Sequence, residues 1–134
     1  MANKYVPVHE PSRAMASDLC KSASNVVAKW DILTAWATRT LSYDYVRAVT
    51  IPKKNGLPDV ARCWRLRMGV CLDISSLVVG MLRAVGVNAY LVIGWADGRY
   101  HAWCEATIRG KTYRYDHGNP NGNRVKTYKR ERMY

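Results

Sequence analysis

The chain has 134 residues, of which 49% are hydrophobic and 23% charged, figures that exclude a disordered or fibrous protein. That length suits one domain with a single core, and no apolar run approaches the ~20 residues that cross a bilayer as a helix. Twenty-one basic residues against 10 acidic ones give a net charge of +11, which favours an anionic partner through the basic surface.

The first ten residues, Met1 to Glu10, lack the apolar core of a signal peptide, so a cytoplasmic protein is expected. Residues 1–11 read as an irregular arm that includes His9. A short helix is predicted from Pro11 or Ser12 to about Lys21, with Ser12 as its N-cap. A longer one follows over 24–41, where Val26, Trp30, Leu33, Ala37 and Leu41 share a face. Tyr43-Asp44-Tyr45 is read as its end, and Ile51 to Pro58 as a loop broken by prolines and a glycine. Asp59 can cap a short helix reaching Arg67, which delivers Gly69 and Cys71.

The strongest helical pattern starts at Cys71. Ile74, Leu77, Val78, Met81, Leu82 and Val85 form one apolar stripe, and Gly86 follows as a C-cap. After Gly86 the period changes from 3.6 to 2. Strands are predicted at Val87–Trp95, Tyr100–Ile108, Thr112–Asp116 and Val125–Tyr128, separated by turns at Ala96-Asp97-Gly98, Arg109-Gly110-Lys111 and Asn119 to Asn123. Helices followed by an antiparallel meander make an α+β fold.

Three residues in this frame carry chemistry. A cysteine at a helix N-terminus sits against unpaired N–H groups and a partial positive charge, which favour the thiolate and can bind an oxyanion. Cys71 is at that position, and the neighbouring Gly69 leaves room for a substrate backbone. His101 lies on a strand rigid enough to hold a base. His117, beside Asp116, is its one competitor. Along the strand His101, Trp103 and Glu105 face one side, while Tyr100, Ala102 and Cys104 face the other. A two-residue loop after Ile108 would put Asp116 opposite Trp103 or Glu105, on the histidine's face; a three-residue loop would turn it away.

The same parity separates His101 from Cys104, and the four cysteines (Cys20, Cys63, Cys71, Cys104) show no CxxC pair. No metal site and no cofactor are expected, and the thiols are read as reduced. The basic residues are scattered, apart from a denser run between Lys126 and Arg132. No nucleic-acid signature accompanies them, so no specific nucleic-acid partner is expected.

Gly69-Val70-Cys71-Leu72-Asp73, Met81-Leu82-Arg83-Ala84-Val85-Gly86-Val87, His101-Ala102-Trp103-Cys104-Glu105 and Tyr115-Asp116, in this order, closely resemble the transglutaminase-like superfamily. Ser42-Tyr43-Asp44 is similar to the tyrosine-aspartate pair that often precedes the cysteine in that family. The resemblance covers roughly residues 24–118. It implies a papain-like α+β core, with the cysteine-bearing helix packed on an antiparallel sheet. It also implies Cys71 as nucleophile, His101 as general base and acid, and Asp116 as orienter, with a thioester intermediate.

Two departures stand out: His117-Gly118 replaces a threonine common after the aspartate, and the calcium cluster and flanking β-domains of the large animal transglutaminases have no counterpart. Both favour hydrolysis of a peptide or protein amide over crosslinking. The alternatives are an acyl transferase that resolves the thioester with an amine, and an inactive scaffold binding an anionic partner. The backbone N–H of Cys71 is the first expected oxyanion donor. Trp36, Tyr43, Tyr45 or Trp64 could supply a second, Tyr43 being preferred. Trp103 is expected to wall the site beside His101, and Glu105 to be either solvated or paired with an arginine.

Overall fold

The computed structural model describes residues 3–52, 56–120 and 122–134; Lys53, Lys54 and Asn55 of the expected loop lie outside these. Helix α1 (Glu10–Leu19) begins one turn earlier than its serine suggested, because His9 is the cap. The His9 ring accepts from the Ser12 N–H at 3.4 Å and pairs with the Ser12 hydroxyl at 2.9 Å, and Ser12 is buried inside the helix. The preceding described residues, 3–9, form no helix or strand, yet part of them packs on the core. Tyr5 and Val6 are buried, the Ser76 hydroxyl donates to the Tyr5 carbonyl at 2.6 Å, and the Tyr5 ring stacks on Tyr134 at 4.1 Å.

Helix α2 (Val26–Thr40) starts at Asn25, whose side chain accepts from the Ala28 N–H. Its apolar face buries Trp30, Leu33 and Ala37, as the spacing predicts, with Trp36 beside them. Strand β1 (Ser42–Tyr43) follows, and Asp44 then caps a helix the sequence reading missed, α3 (Tyr45–Thr50). That helix buries none of its residues, so no apolar period announces it. Asp59 caps α4 (Val60–Leu66) as expected, and Arg67 leaves it in the left-handed region at φ 56°.

Strand β2 (Met68–Gly69) pairs in parallel with β1, which sets Tyr43 level with the turn that begins α5 (Cys71–Ala84). Gly69 is required there for packing. A Cβ on it would lie 2.8 Å from Asp73 Cβ and 2.9 Å from Cys63 Sγ, so β2 could not approach α4 and α5 this closely. Helix α5 runs through the core with Ile74, Leu77, Val78, Met81 and Leu82 each at most 1% exposed. Burying each such side chain contributes about 1.5–3 kcal/mol.

The sheet comprises β3 (Ala89–Ala96), β4 (Arg99–Ile108), β5 (Lys111–Tyr115) and β6 (Tyr128–Met133), in the antiparallel order β5-β4-β3-β6. The last strand is therefore not the fourth step of a meander and does not lie at 125–128. The chain leaves β5 at one edge, crosses, and pairs its basic run with β3 at the other. Lys129, Arg130 and Glu131 suit an exposed edge, where charge discourages pairing with another chain. Among the described residues no helix is long and apolar enough to cross a membrane.

Candidate active site

Cys71 is the first residue of α5, so its N–H has no acceptor within the helix. The turn that presents it is fixed by Asp73, a carboxylate only 1% exposed. Asp73 accepts from the Val70 N–H at 3.0 Å and the Asp59 N–H at 2.8 Å, and from Arg47 Nε and Nη2 at 2.9 and 3.0 Å. The Arg47 guanidinium cancels the negative charge that Asp73 would otherwise place two residues from the thiol. A second pair, the buried Asp44 with the half-buried Arg62, ties the β1–α3 corner to α4. Of these four residues, Asp44 and Asp73 stand within motifs already quoted from the sequence, though with no role assigned to them, and Arg47 and Arg62 had no signal. Asp73 also lies three residues beyond the cap position, where a capping carboxylate belongs.

The β4–β5 hairpin closes through Arg109 and Gly110, both at positive φ (52° and 76°), a two-residue loop of the kind that matches strand twist. The register Cys104↔Tyr115 and Glu105↔Arg114 puts Asp116 one step further, on the histidine's side. His101 Nε2 lies 3.0 and 2.9 Å from the two Asp116 oxygens. Cys71 lines the same cleft as the imidazole, and with Nε2 on Asp116 the nitrogen left for the thiol is Nδ1. Burial alone would lower the His101 pKa, but the hydrogen-bonded Asp116 carboxylate, with Cys71 nearby, prevails and raises it to about 10. Burial would likewise raise Asp116. The His101 bond and charge outweigh it, with help from Tyr128 and the Gly118 N–H, and hold the carboxyl below its usual range.

Tyr128 is the feature the sequence reading overlooked. From the far edge strand its hydroxyl donates to Asp116 Oδ2 at 2.9 Å, and Asn119 Nδ2 donates to that hydroxyl at 3.0 Å. Burial and the adjacent Asp116 charge raise the phenol to about 12, so it stays a donor. The only sequence signal was a tyrosine ending the strand predicted over Val125–Tyr128, and that strand was misplaced.

The remaining candidates separate by position. Tyr43 lines a cleft of about 470 Å³ together with Cys71, Leu72, Tyr100 and His101. Burial, then the nearby Cys71 charge, push its phenol up, so it keeps its proton. Tyr45 is 77% exposed and Trp36 is buried against Trp64, so neither belongs to the cleft lining.

Trp103 does not wall the cleft. It is fully buried behind His101, its ring centroid 6.1 Å away, and its indole N–H goes to Glu105 at 2.7 Å. Gly69, also outside the cleft, is a packing residue and makes no room for substrate. Glu105 is fully buried with Arg130 and Arg114, which settles it as an arginine partner. His117 is turned away, its Nε2 2.9 Å from the Leu41 carbonyl. Among the described residues no His, Cys, Asp and Glu cluster is arranged to hold a metal ion.

The other thiols have no such setting. Cys20, Cys63 and Cys104 are buried and unpaired. Burial raises the pKa of each, Cys63 to about 12, with Asp73's charge adding to the effect there.

The model of the transglutaminase-like superfamily matches residues 13–119. The chain belongs to that superfamily. Over 130 residues it is 28% identical to Uncharacterized protein ML0607 of Mycobacterium leprae (strain TN), covering 86% of this chain and 43% of that protein. Among solved structures, a "Putative Cysteine Protease from Cytophaga hutchinsonii" superposes with a TM-score of 0.72 at 22% identity, covering 93% of this chain and 43% of the other. A structure described as a TGase gives 0.63 at 18% identity, covering 91% and 34%. These likenesses of structure show a shared α+β fold of helices and an antiparallel sheet. The chain spans less than half the length of each of these relatives.

Proposed function

We propose that the chain is a cysteine-dependent amide hydrolase acting on peptides or protein side-chain amides, with Cys71 as nucleophile. One observation carries this reading. A partly exposed thiol at the start of a buried helix lines one cleft with an imidazole whose pKa it raises and whose Nε2 is held by a buried carboxylate.

In the resting pair His101 holds a proton and Cys71 is the thiolate. Sulfur attacks the amide carbonyl, and the oxyanion is met by the Cys71 N–H and the Tyr43 hydroxyl. His101 gives its Nδ1 proton to the departing amine, leaving a thioester. It then takes a proton from water, which attacks the thioester and releases the acid. Asp116 keeps Nε2 protonated throughout, so Nδ1 alone exchanges.

Cys71→Ala should remove turnover of a peptide-amide library by at least ~10⁴-fold while leaving the circular dichroism spectrum unchanged. Survival of activity would exclude this nucleophile. Amine transfer, the other outcome open to a thioester, would appear as incorporation of a primary amine into the product mass in place of water. An unreactive Cys71 together with tight, salt-sensitive polyanion binding would instead favour a binding scaffold, a reading supported by the net charge of +11.

A further inference from the structure

Three arginines of this molecule invite comparison. Arg47 grips Asp73 through Nε and Nη2, and Arg130 sets Nε and Nη2 each 2.8 Å from Glu105 Oε1. Both use the planar fork that matches a carboxylate. Arg132 has the same fork and, among the described residues, no carboxylate. Its hydrogen bonds among the described residues go to three tyrosine hydroxyls: Tyr100 at 2.8 Å from Nη2, and Tyr134 and Tyr5 at 3.2 and 3.5 Å from Nη1. Its Nε is buried without any hydrogen-bond partner among the described residues. Neutral hydroxyls hold the guanidinium in place without cancelling its charge, and an unmet buried donor is costly.

The position of this arginine is what gives it meaning. Arg132 and Arg99 line the same cleft as Cys71 and His101, and the described residues lining it include no carboxylate. Tyr100, which holds Arg132, immediately precedes His101 in β4. The rest of the lining is mostly apolar, with Ile51, Pro52, Leu72 and Ile93 among it. An amide substrate that is apolar along one wall and acidic at one end fits this pattern of surface.

We propose that Arg132 recognises a carboxylate on the acyl substrate, so that the site selects amides bearing an acidic group near the bond to be cleaved. This rests on Cys71 being the nucleophile. The carboxylate takes the edge of the guanidinium now covered by the Tyr100 hydroxyl and supplies the acceptor that Nε lacks. The source of the carboxylate is either a free C-terminus or an acidic side chain.

Alkylation of Cys71 tests this without knowing the natural substrate. N-iodoacetyl-glycine is compared with N-iodoacetyl-glycinamide, and N-iodoacetyl-glutamic acid α-amide with its glutamine counterpart. In each case a C–S bond forms and iodide leaves. The rate at Cys71 is read by peptide mass spectrometry and divided by the rate of a free cysteine peptide. The acidic member of at least one pair should react roughly tenfold faster than its neutral partner, as a charge-assisted contact implies. Preference within the glycine pair points to a C-terminal carboxylate, and within the glutamate pair to a side chain.

Arg132→Gln should collapse the acid-to-neutral ratio and Arg132→Lys should keep part of it. Lys111→Gln removes the same charge at the distant hairpin and should leave the ratio intact, which separates Arg132 from the general positive field. If Arg132→Gln does not fold, the ratio in Arg132→Lys decides, full retention counting against the fork. Equal rates within both pairs, with Cys71 still reactive, would overturn the subsite and spare the nucleophile. No reaction of Cys71 with any probe would overturn both.

Discussion

Glu105 and Asp116 are carboxylates buried by neighbouring strands of one sheet, 0% and 4% exposed, and each accepts a hydrogen bond from an aromatic side chain, Trp103 or Tyr128. What separates them is the cation. Glu105 faces Arg130 at 2.8 Å and Arg114 at 3.6 Å, guanidiniums that do not release a proton near neutral pH. Asp116 faces His101, an imidazole that stays charged at neutral pH but titrates at about 10, within reach of a reacting group, and that shares the cleft with the Cys71 thiol. Under the proposed function, a buried ion pair marks chemistry here only where one partner titrates and is open to the cleft. The Glu105 cluster ties β4, β5 and β6 together; in the proposed function the Asp116 cluster uses the same strands to aim a base.

Substitutions should divide along that line. His101→Ala should cost the most, on the order of 10⁴-fold or more in kcat/KM, because members of such a unit fail together. It should also slow Cys71 alkylation at pH 6, and unchanged alkylation would detach the base from the nucleophile. Asp116→Asn should cost about 10²–10⁴-fold, since the amide can leave His101 in the wrong tautomer.

Glu105→Gln should reverse the pattern, lowering stability by about 3 kcal/mol in a urea titration with kcat changed only a few-fold. If Glu105→Gln abolishes turnover in a folded protein, the two clusters are not distinct. Tyr128→Phe should have the smallest effect, roughly tenfold or less in kcat. Losing a donor makes Asp116 more basic, so the alkaline limb of the pH–rate profile should move upward, a shift that loosened packing alone would not produce.

The pH dependence has a definite sign. His101 is raised from ~6.5 to about 10, so the ion pair's contribution to stability is complete below pH ~6.5 and fades as the pH climbs through 10. Asp116 is depressed, so its contribution is present above the ordinary carboxyl range and is lost as the solution is acidified. Turnover should fall on the alkaline side near pH 10, where His101 no longer carries a proton for the leaving amine. A fall near pH 7 would mean that the imidazole is not held as a cation.

The elements with a periodic apolar face were legible in the sequence. Leu33 and Ala37 on α2 and Ile74 to Leu82 on α5 bury as their spacing requires, and the parity of β4 with a two-residue loop brings Asp116 to His101. Elements without an apolar period were not. Helix α3 buries nothing, β6 is a charged edge strand, and residues 5–6 are held by a few buried contacts that no pattern announces. The same holds within the site. The motif residues were visible, whereas Tyr128, Arg47 and Arg132 act across 12, 26 and 32 positions of sequence and depend on tertiary contact. Gly69 and Trp103 were assigned to the site by proximity in sequence, and packing explains both.

The most direct test is the pH dependence of iodoacetamide alkylation, followed separately at each of the four cysteines. Cys71 should react rapidly well below pH 7, with Cys20, Cys63 and Cys104 slow throughout because burial keeps them protonated. Replacing His101 by alanine should then bring Cys71 back to the behaviour of a free thiol, which titrates at ~8.5. Free-thiol behaviour of Cys71 in the unaltered protein would contradict the ion pair on which the functional reading rests.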